Sequence, residues 1–389
     1  MLNTCTVTAT ADDEVRQVVR RIRREQPDAK ILITGCYAQR APQELAAMDG
    51  VSLVVGNSHK TQIPELVLNG HADYHGQIEI GDIFAQTDFL SAPVEDAAGE
   101  RTRPNLKIQD GCNNRCSFCI IPYVRGRSRS APAEQVIDQV KTLATKYREV
   151  VLSGINLGRW GKEPGSNMRL ADLVRRLLDE TVIERIRLSS VEPMDFSDSL
   201  LYLMAESPRI AKHVHAPLQS GSDTVLRRMH RKYRPRHYAE RISKARALMP
   251  DCAVGADVMT GFPGETDDEF AQSYAFIDAL PFTYLHVFTY SERPGTPAAE
   301  SQMQVPVSVR KQRTQALREL AAKKSLAFRR SLVGKTLSAV TLDNGTALSG
   351  NYVKVALATR RESNRIEDIV IGGLTSDGVC ERGVFPVLA

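Results

Sequence analysis

Between Arg103 and about Ala299, short apolar runs alternate with longer stretches of mixed polar and apolar residues. The runs Asn105 to Gln109, Val150 to Ser153, Arg185 to Ser190, His213 to Leu218, Ala253 to Val258 and Tyr284 to Tyr290 read as strands. The segments between them are long enough for crossover helices, so the pattern predicts a parallel sheet of βαβ units. Six such units predict a partial (β/α) barrel, whose reactive groups gather at the C-terminal ends of the strands. Upstream, a helix over Asp13 to Gln26 precedes a strand over Lys30 to Gly35, and Val51 to Gly56 is another short apolar run of the buried parallel kind. Residues 1–75 therefore read as a small α/β unit, 76–100 as a linker with weak periodicity, and 101–330 as the barrel core. In 331–389, alternation and the turn pair Asn344-Gly345 predict short antiparallel strands.

The predicted strand ends carry small polar groups. Ser153, Gly154 and Asn156 follow the second strand, and the missing Cβ of Gly154 would let a ligand approach the backbone. Glu192 lies beyond the third. Gln219 and Ser220 follow the fourth and open a helix whose N–H groups could receive a carboxylate. Gly261, Pro263 and Gly264 follow the fifth, with Thr266 and Glu269 at capping-box spacing.

Composition frames these elements. The 389 residues suit two or three domains, and the 42% hydrophobic content is enough for packed cores. No apolar run approaches the roughly 20 residues that span a bilayer. Met1-Leu2-Asn3-Thr4-Cys5 lacks the basic start and apolar core of a signal peptide, so a cytoplasmic protein without a membrane partner is expected. Seven cysteines, an odd number, then argue for ligands and buried thiols rather than disulfides, with Cys252 and Cys380 read as ordinary buried thiols.

Candidate chemistry centres on Gly111-Cys112-Asn113-Asn114-Arg115-Cys116-Ser117-Phe118-Cys119. Its C-x-x-x-C-x-x-C spacing puts three thiols on one short loop, enough to hold three irons of a [4Fe-4S] cluster and leave the fourth open. A structural zinc site would close its shell with four ligands, and neither His nor Cys follows nearby. The net charge of +5 is modest, but its distribution is uneven. Leu226 to Tyr238 holds Arg227, Arg228, Arg231 and Lys232 among aromatics with no acid, a pattern suited to RNA phosphates and stacked bases. Arg125, Arg127 and Arg129 lie just beyond the cysteine loop, on the rim of the expected active site, and are likewise read as RNA contacts. Basic groups along Arg310 to Arg330 and Arg16 to Arg24 fit solvated helix faces equally well.

The cysteine loop, with an aromatic residue before its last Cys, resembles the radical S-adenosylmethionine (SAM) enzymes. That resemblance implies SAM on the open iron, one-electron cleavage to a 5′-deoxyadenosyl radical, and Phe118 near the adenine. With Asn3-Thr4-Cys5-Thr6-Val7-Thr8, Thr34-Gly35-Cys36-Tyr37-Ala38-Gln39, Pro217-Leu218-Gln219-Ser220-Gly221-Ser222, Gly261-Phe262-Pro263-Gly264-Glu265-Thr266 and Arg293-Pro294-Gly295-Thr296-Pro297-Ala298, the chain resembles the radical SAM methylthiotransferases over nearly its whole length. This implies an α/β Rossmann-like N-terminal domain, a partial (β/α)6 radical SAM barrel and a small C-terminal β-barrel (TRAM) that binds RNA. It further implies a second SAM as methyl donor, a second [4Fe-4S] cluster on Cys5 and Cys36, and an electron donor such as flavodoxin or ferredoxin.

Arg228-Met229-His230-Arg231-Lys232-Tyr233, Leu285-His286-Val287-Phe288-Thr289-Tyr290-Ser291 and Ser189-Ser190-Val191-Glu192-Pro193 are most similar to the MtaB-type branch. That branch methylthiolates carbon 2 of threonylcarbamoyladenosine beside the tRNA anticodon. Branches acting on isopentenyladenosine or on a ribosomal protein share the cysteine loop, and a non-catalytic RNA-binding iron-sulfur protein is the competing class. One departure stands out. The family carries three N-terminal cysteines, of which Cys5 and Cys36 match, and a family-like chain would have a further strand and a cysteine upstream of Met1.

Overall fold

A computed structural model describes residues 1–70, 75–90 and 102–383. Residues 91–100 of the predicted linker and 384–389 of the predicted C-terminal domain lie outside the described residues. The described residues divide into two compact units. The first comprises those of Met1–Leu90, Asp110–Arg129 and Ser291–Met303, and the second those of Ser91–Gln109, Ser130–Tyr290 and Gln304–Ala389.

In the first unit, β1 (Leu2–Thr4), β2 (Ile31–Gly35), β3 (Val51–Gly56) and β4 (Gln77–Glu79) form one parallel sheet in chain order. Every residue of β2 and β3 is buried, as unbroken apolar runs in a covered parallel sheet require. The helix Ala9–Glu25 starts ahead of its predicted position because the Thr8 side chain accepts from Ala11 N–H and caps it there. β4 falls in the segment read as an aperiodic linker. An edge strand of three residues is too short to show a period, and only its pairing with β3 reveals it. Gly35 ends β2 at φ +106, where a Cβ would lie 2.4 Å from Thr4 O, so only glycine lets the chain turn into the short helix that begins at Cys36.

In the second unit, the predicted alternation is present. The strands are β5 (Asn105–Asp110), β6 (Arg129–Ser130), β7 (Glu149–Gly154), β8 (Arg185–Leu188), β9 (His213–His215), β10 (Ala253–Thr260) and β11 (Tyr284–Thr289). They pair in the orders β6-β5-β7-β8 and β11-β10-β9. The parallel bridge Ile186↔Ile210 continues one sheet toward the other, so the long strands form an open, partial parallel barrel. Helices such as Ala133–Ala144, Leu170–Glu180, Pro235–Leu248 and Asp267–Ala279 make the crossovers, the last of them opened by the predicted Thr266/Glu269 capping box. Cys252 and Cys380 are fully buried, as expected.

The helix Val307–Ser331 divides its basic run, leaving Lys311, Arg318, Lys323 and Arg330 on the exposed face and turning two arginines inward. Arg310 and Arg313 are buried, Arg310 donating to Val305 O at 2.6 Å and Arg313 pairing with Glu265 at 2.8 Å. Beyond it, β12 (Thr336–Thr341), β13 (Thr346–Ser349), β14 (Lys354–Ala356), β15 (Ile366–Leu374) and β16 (Val379–Glu381) close a small barrel in the order β12-β13-β14-β16-β15, with the Asn344-Gly345 turn between β12 and β13. This barrel is tied to β8. Arg187 chelates Glu149 at 2.8 and 3.3 Å and donates to Ser349 O and Gly350 O at 3.0 and 3.2 Å. Among the described residues, no helix is long and apolar enough to cross a membrane.

Candidate active site

In the first unit, the cysteine loop doubles back on itself. Gly111 takes φ +68, where a Cβ would lie 2.0 Å from Arg127 O, and Cys112 N–H donates to Gly126 O at 3.1 Å. Cys119 N–H donates to Cys116 O at 3.1 Å, and Ala298 N–H donates to Ser117 O at 2.9 Å. Backbone contacts therefore fix the loop while its three thiols stay half-buried. The segment Arg293 to Ala298 joins this loop to the N-terminal strand. Arg293 is buried and donates to Thr6 O at 3.0 Å and to the Asp12 carboxylate at 2.7 Å, which also receives Thr6 Oγ1 at 2.6 Å and Arg40 at 2.9 Å.

Cys5 is exposed at the end of β1, whereas Cys36 is buried against Ile120 and Val124, next to the short helix Ile121–Arg125. Arg125 Nε donates to Cys36 Sγ at 3.0 Å and Asn57 Nδ2 approaches it at 3.6 Å. Burial disfavours the Arg125 charge, but Cys36, Asp110 and Cys5 more than offset this, and its pKa is raised. Arg129, mainly desolvated, moves the other way.

In the second unit, a cavity of about 310 Å³ occupies the barrel lumen. A chain of polar side chains crosses it. Tyr284 Oη lies 2.7 Å from His213 Nε2 and 2.8 Å from His215 Nδ1, and Asp257 Oδ1 lies 3.2 Å from His215 Nε2 and 3.1 Å from His286 Nδ1. Burial alone would raise the Asp257 carboxyl; its hydrogen bonds to the two imidazoles more than offset that and hold it below the usual carboxylate range. Tyr352, from the turn after β13, stacks on His213 with centroids 4.5 Å apart and also lines the cavity.

Residues 106–277 match the family model "Radical SAM superfamily", and residues 1–56 match "Uncharacterized protein family UPF0004". The threonylcarbamoyladenosine tRNA methylthiotransferase MtaB of Aquifex aeolicus is 37% identical over 95% of this chain and 90% of its own length. The protein of that name in Bacillus subtilis is 44% identical over 82% of this chain and 70% of its own. The tRNA-2-methylthio-N(6)-dimethylallyladenosine synthase of Pelotomaculum thermopropionicum is 36% identical over 86% and 76%. The chain belongs to the radical SAM methylthiotransferases. A solved structure of the radical SAM methyltransferase TsrM from Kitasatospora setae shares the fold, with a TM-score of 0.59, 17% identity and coverage of 77% of this chain and 64% of that one.

The cofactors of a radical SAM methylthiotransferase are SAM and [4Fe-4S] clusters. The donor set of the cysteine loop fits such a cluster: three thiols, within reach of solvent, on a backbone fixed by its own hydrogen bonds.

The strand-end groups of the second unit are engaged within the protein. The space beside Gly154 is filled by Gln109, whose Cβ would lie 2.8 Å from an added Cβ, so the expected ligand approach at Gly154 is corrected. Gln109 Oε1 also accepts Asn156 N–H at 2.7 Å, and Ser153 Oγ donates to Leu106 O at 3.3 Å. The N–H groups expected to receive a carboxylate are likewise taken. Gly221 N–H donates to Ser273 Oγ at 3.1 Å and Ser222 N–H to Ser220 Oγ at 3.2 Å. Gly261 N–H donates to Glu265 at 2.7 Å, and Gly264 O accepts from Arg228 at 3.2 Å within the turn around Pro263. Gln219 alone among the predicted strand-end groups is non-glycine at φ +64, a strained conformation of the kind found at functional positions.

The basic tract is also corrected in part. Arg231 is buried, 2.5 Å from the Glu192 carboxylate, and its guanidinium lies over Tyr233 at 4.9 Å. Arg228 is paired with Glu269 at 2.6 Å, and despite partial burial this and the Thr224 hydroxyl hold the Glu269 carboxyl down to about 2. Tyr233 and Tyr238 are buried donors to Pro217 O and Ala216 O. Much of the tract thus braces the Pro217–Ser222 segment from within, and Arg227 and Lys232 are the exposed cations among its four named ones. Near the loop, Arg127 is exposed, whereas Arg125, also expected to contact RNA, turns inward to Cys36. Sequence reading missed Asp12, Arg40 and the lumen network. The available signal for the latter was a charged Asp257 inside an apolar strand and the His213-Val214-His215 alternation.

Proposed function

We propose that this chain methylthiolates carbon 2 of threonylcarbamoyladenosine in the anticodon stem-loop of tRNA, with an electron donor such as flavodoxin or ferredoxin. One observation carries the reading: a fixed loop of three half-buried thiols shares a compact unit with Cys5 and Cys36, in a chain of this family. Cys112, Cys116 and Cys119 would hold the cluster that binds SAM, and Cys5 and Cys36 would contribute to the second. When bound, these groups supply reductive SAM cleavage and sulfur for a carbon that acid-base chemistry cannot functionalise. The protein's part is positional. Gly111 and the Gly126 carbonyl set the loop, Arg293 with Asp12 joins it to the segment that follows Cys5, and Arg125 places a half-buried cation on Cys36. In the first unit Phe118 is assigned to SAM and Arg127 to a tRNA phosphate, and in the second unit Arg227 and Lys232 are the cations assigned to tRNA phosphates.

The isopentenyladenosine reading has its support in relatives such as that of P. thermopropionicum. The test is direct: reconstituted protein, SAM and reductant are incubated with stem-loops carrying either modified adenosine. Formation of the methylthio nucleoside on the threonylcarbamoyl RNA is the expected result, and product on the isopentenyl RNA alone would transfer the chain to the other branch.

A further inference from the structure

We infer that the barrel lumen of the second unit is the subsite for the N6-substituent of the target adenosine, built for a polar, carboxylate-bearing group and against an aliphatic one. This rests on the functional reading above and adds the residues that would select the substrate.

The argument begins with β11. Alternate residues of a strand share a face, so Tyr284, His286 and Phe288 form one row, with neighbouring ring centroids 5.3 and 6.4 Å apart. The opposite face carries Val287, which is buried. Phe288 ends the row at 49% exposure, an unusual position for a phenylalanine at the C-terminal end of a barrel strand and a suitable one for stacking an unpaired purine. A substituent on that purine would next meet His286 and Asp257, then His215.

The lumen is polar in a way that calls for a polar occupant. Ser189 Oγ lines it, buried and without a hydrogen-bond partner, a state that costs about 1–3 kcal/mol unless a ligand supplies one. Two guanidiniums, Arg103 and Arg187, line it alongside the Asp257 carboxylate. Arg187 is already saturated by Glu149 and two carbonyls and contributes mainly its field. Arg103 is half-buried, with Glu149 at 3.4 Å, and is placed to receive an acid. A threonylcarbamoyl group offers urea N–H and C=O groups, a hydroxyl and a carboxylate. An isopentenyl group would fill the same space while leaving those lining groups unpaired, the situation in which polar sites reject apolar analogues most strongly.

The experiment compares the parent with His286→Phe, His286→Gln, Arg103→Ala and Phe288→Ala. Substrates are stem-loops bearing N6-threonylcarbamoyl adenosine, its carboxamide analogue, or N6-isopentenyl adenosine. His286→Phe is expected to reduce the parent's preference for the threonylcarbamoyl RNA over the isopentenyl RNA by about 10- to 100-fold in kcat/KM, the effect of one polar contact removed. His286→Gln should restore part of it. Arg103→Ala should remove the parent's preference for carboxylate over carboxamide, and Phe288→Ala should weaken both RNAs alike. Circular dichroism and iron content of the reconstituted protein should match the parent in every variant, showing that the fold and cluster are intact. If the parent uses threonylcarbamoyl RNA but His286→Phe and Arg103→Ala keep its ratios, the lumen assignment is wrong and the functional reading stands. If the parent uses only isopentenyl RNA, both fall.

Discussion

Replacing Cys112, Cys116 or Cys119 with Ala reduces 5′-deoxyadenosine formation by the anaerobically reconstituted protein to background. Each thiolate is expected to bind one iron of the cluster that holds SAM, and the loop has no spare sulfur to replace it. The loss should be chemical rather than structural. The loop is set by Gly111 and by backbone hydrogen bonds from Cys112 and Cys119, neither of which involves a sulfur atom. Iron should accordingly fall by about four per chain, the content of one cluster, with the circular dichroism unchanged. Parental 5′-deoxyadenosine formation in all three variants would remove the loop from the chemistry.

Cys36→Ala separates the two halves of the reaction. The variant should keep SAM cleavage yet lose methylthiolated RNA by at least about two orders of magnitude, because the sulfur-bearing site would lose a sulfur that is buried and held by the Arg125 guanidinium. Cys36 Sγ has Arg125 at 3.0 Å and Asn57 at 3.6 Å, an arrangement that an inert packing thiol would not require. Cys252, fully buried and pushed up to about 12 chiefly by desolvation, provides the contrast, and Cys252→Ala should leave product formation intact. A Cys36→Ala protein that methylthiolates at the parental rate would show that Cys36 is also merely structural.

The architecture was legible because its strands are short, buried and β-rich. The six predicted core strands appear at the apolar runs, although β8 and β9 stop at Leu188 and His215, short of the predicted ends, and the Thr266/Glu269 cap and the Asn344-Gly345 turn depend only on local chemistry. What the sequence hid depends on partners distant in the chain. Arg231 and Arg313 look like surface cations until Glu192 and Glu265 arrive from other elements to neutralise them. Gly154 looks like a place for a ligand until Gln109 fills it. The lumen network was hidden for the same reason, since His215, Asp257, Tyr284 and His286 come from three strands, β9, β10 and β11, that are distant in the chain. The resemblance located the cysteines, whereas the structure showed that Arg293 and Asp12 connect their segments.

The most direct measurement is the nucleoside content of tRNA from cells with and without this gene, read by mass spectrometry. The account predicts that deletion removes the methylthio derivative of threonylcarbamoyladenosine, leaves its unmethylthiolated precursor in its place, and does not change methylthio-isopentenyladenosine. Restoring the gene should restore the product, and restoring it with Cys116→Ala should not. Unchanged methylthio-threonylcarbamoyladenosine in the deletion strain, in the absence of a second enzyme of the same activity, would contradict the assignment.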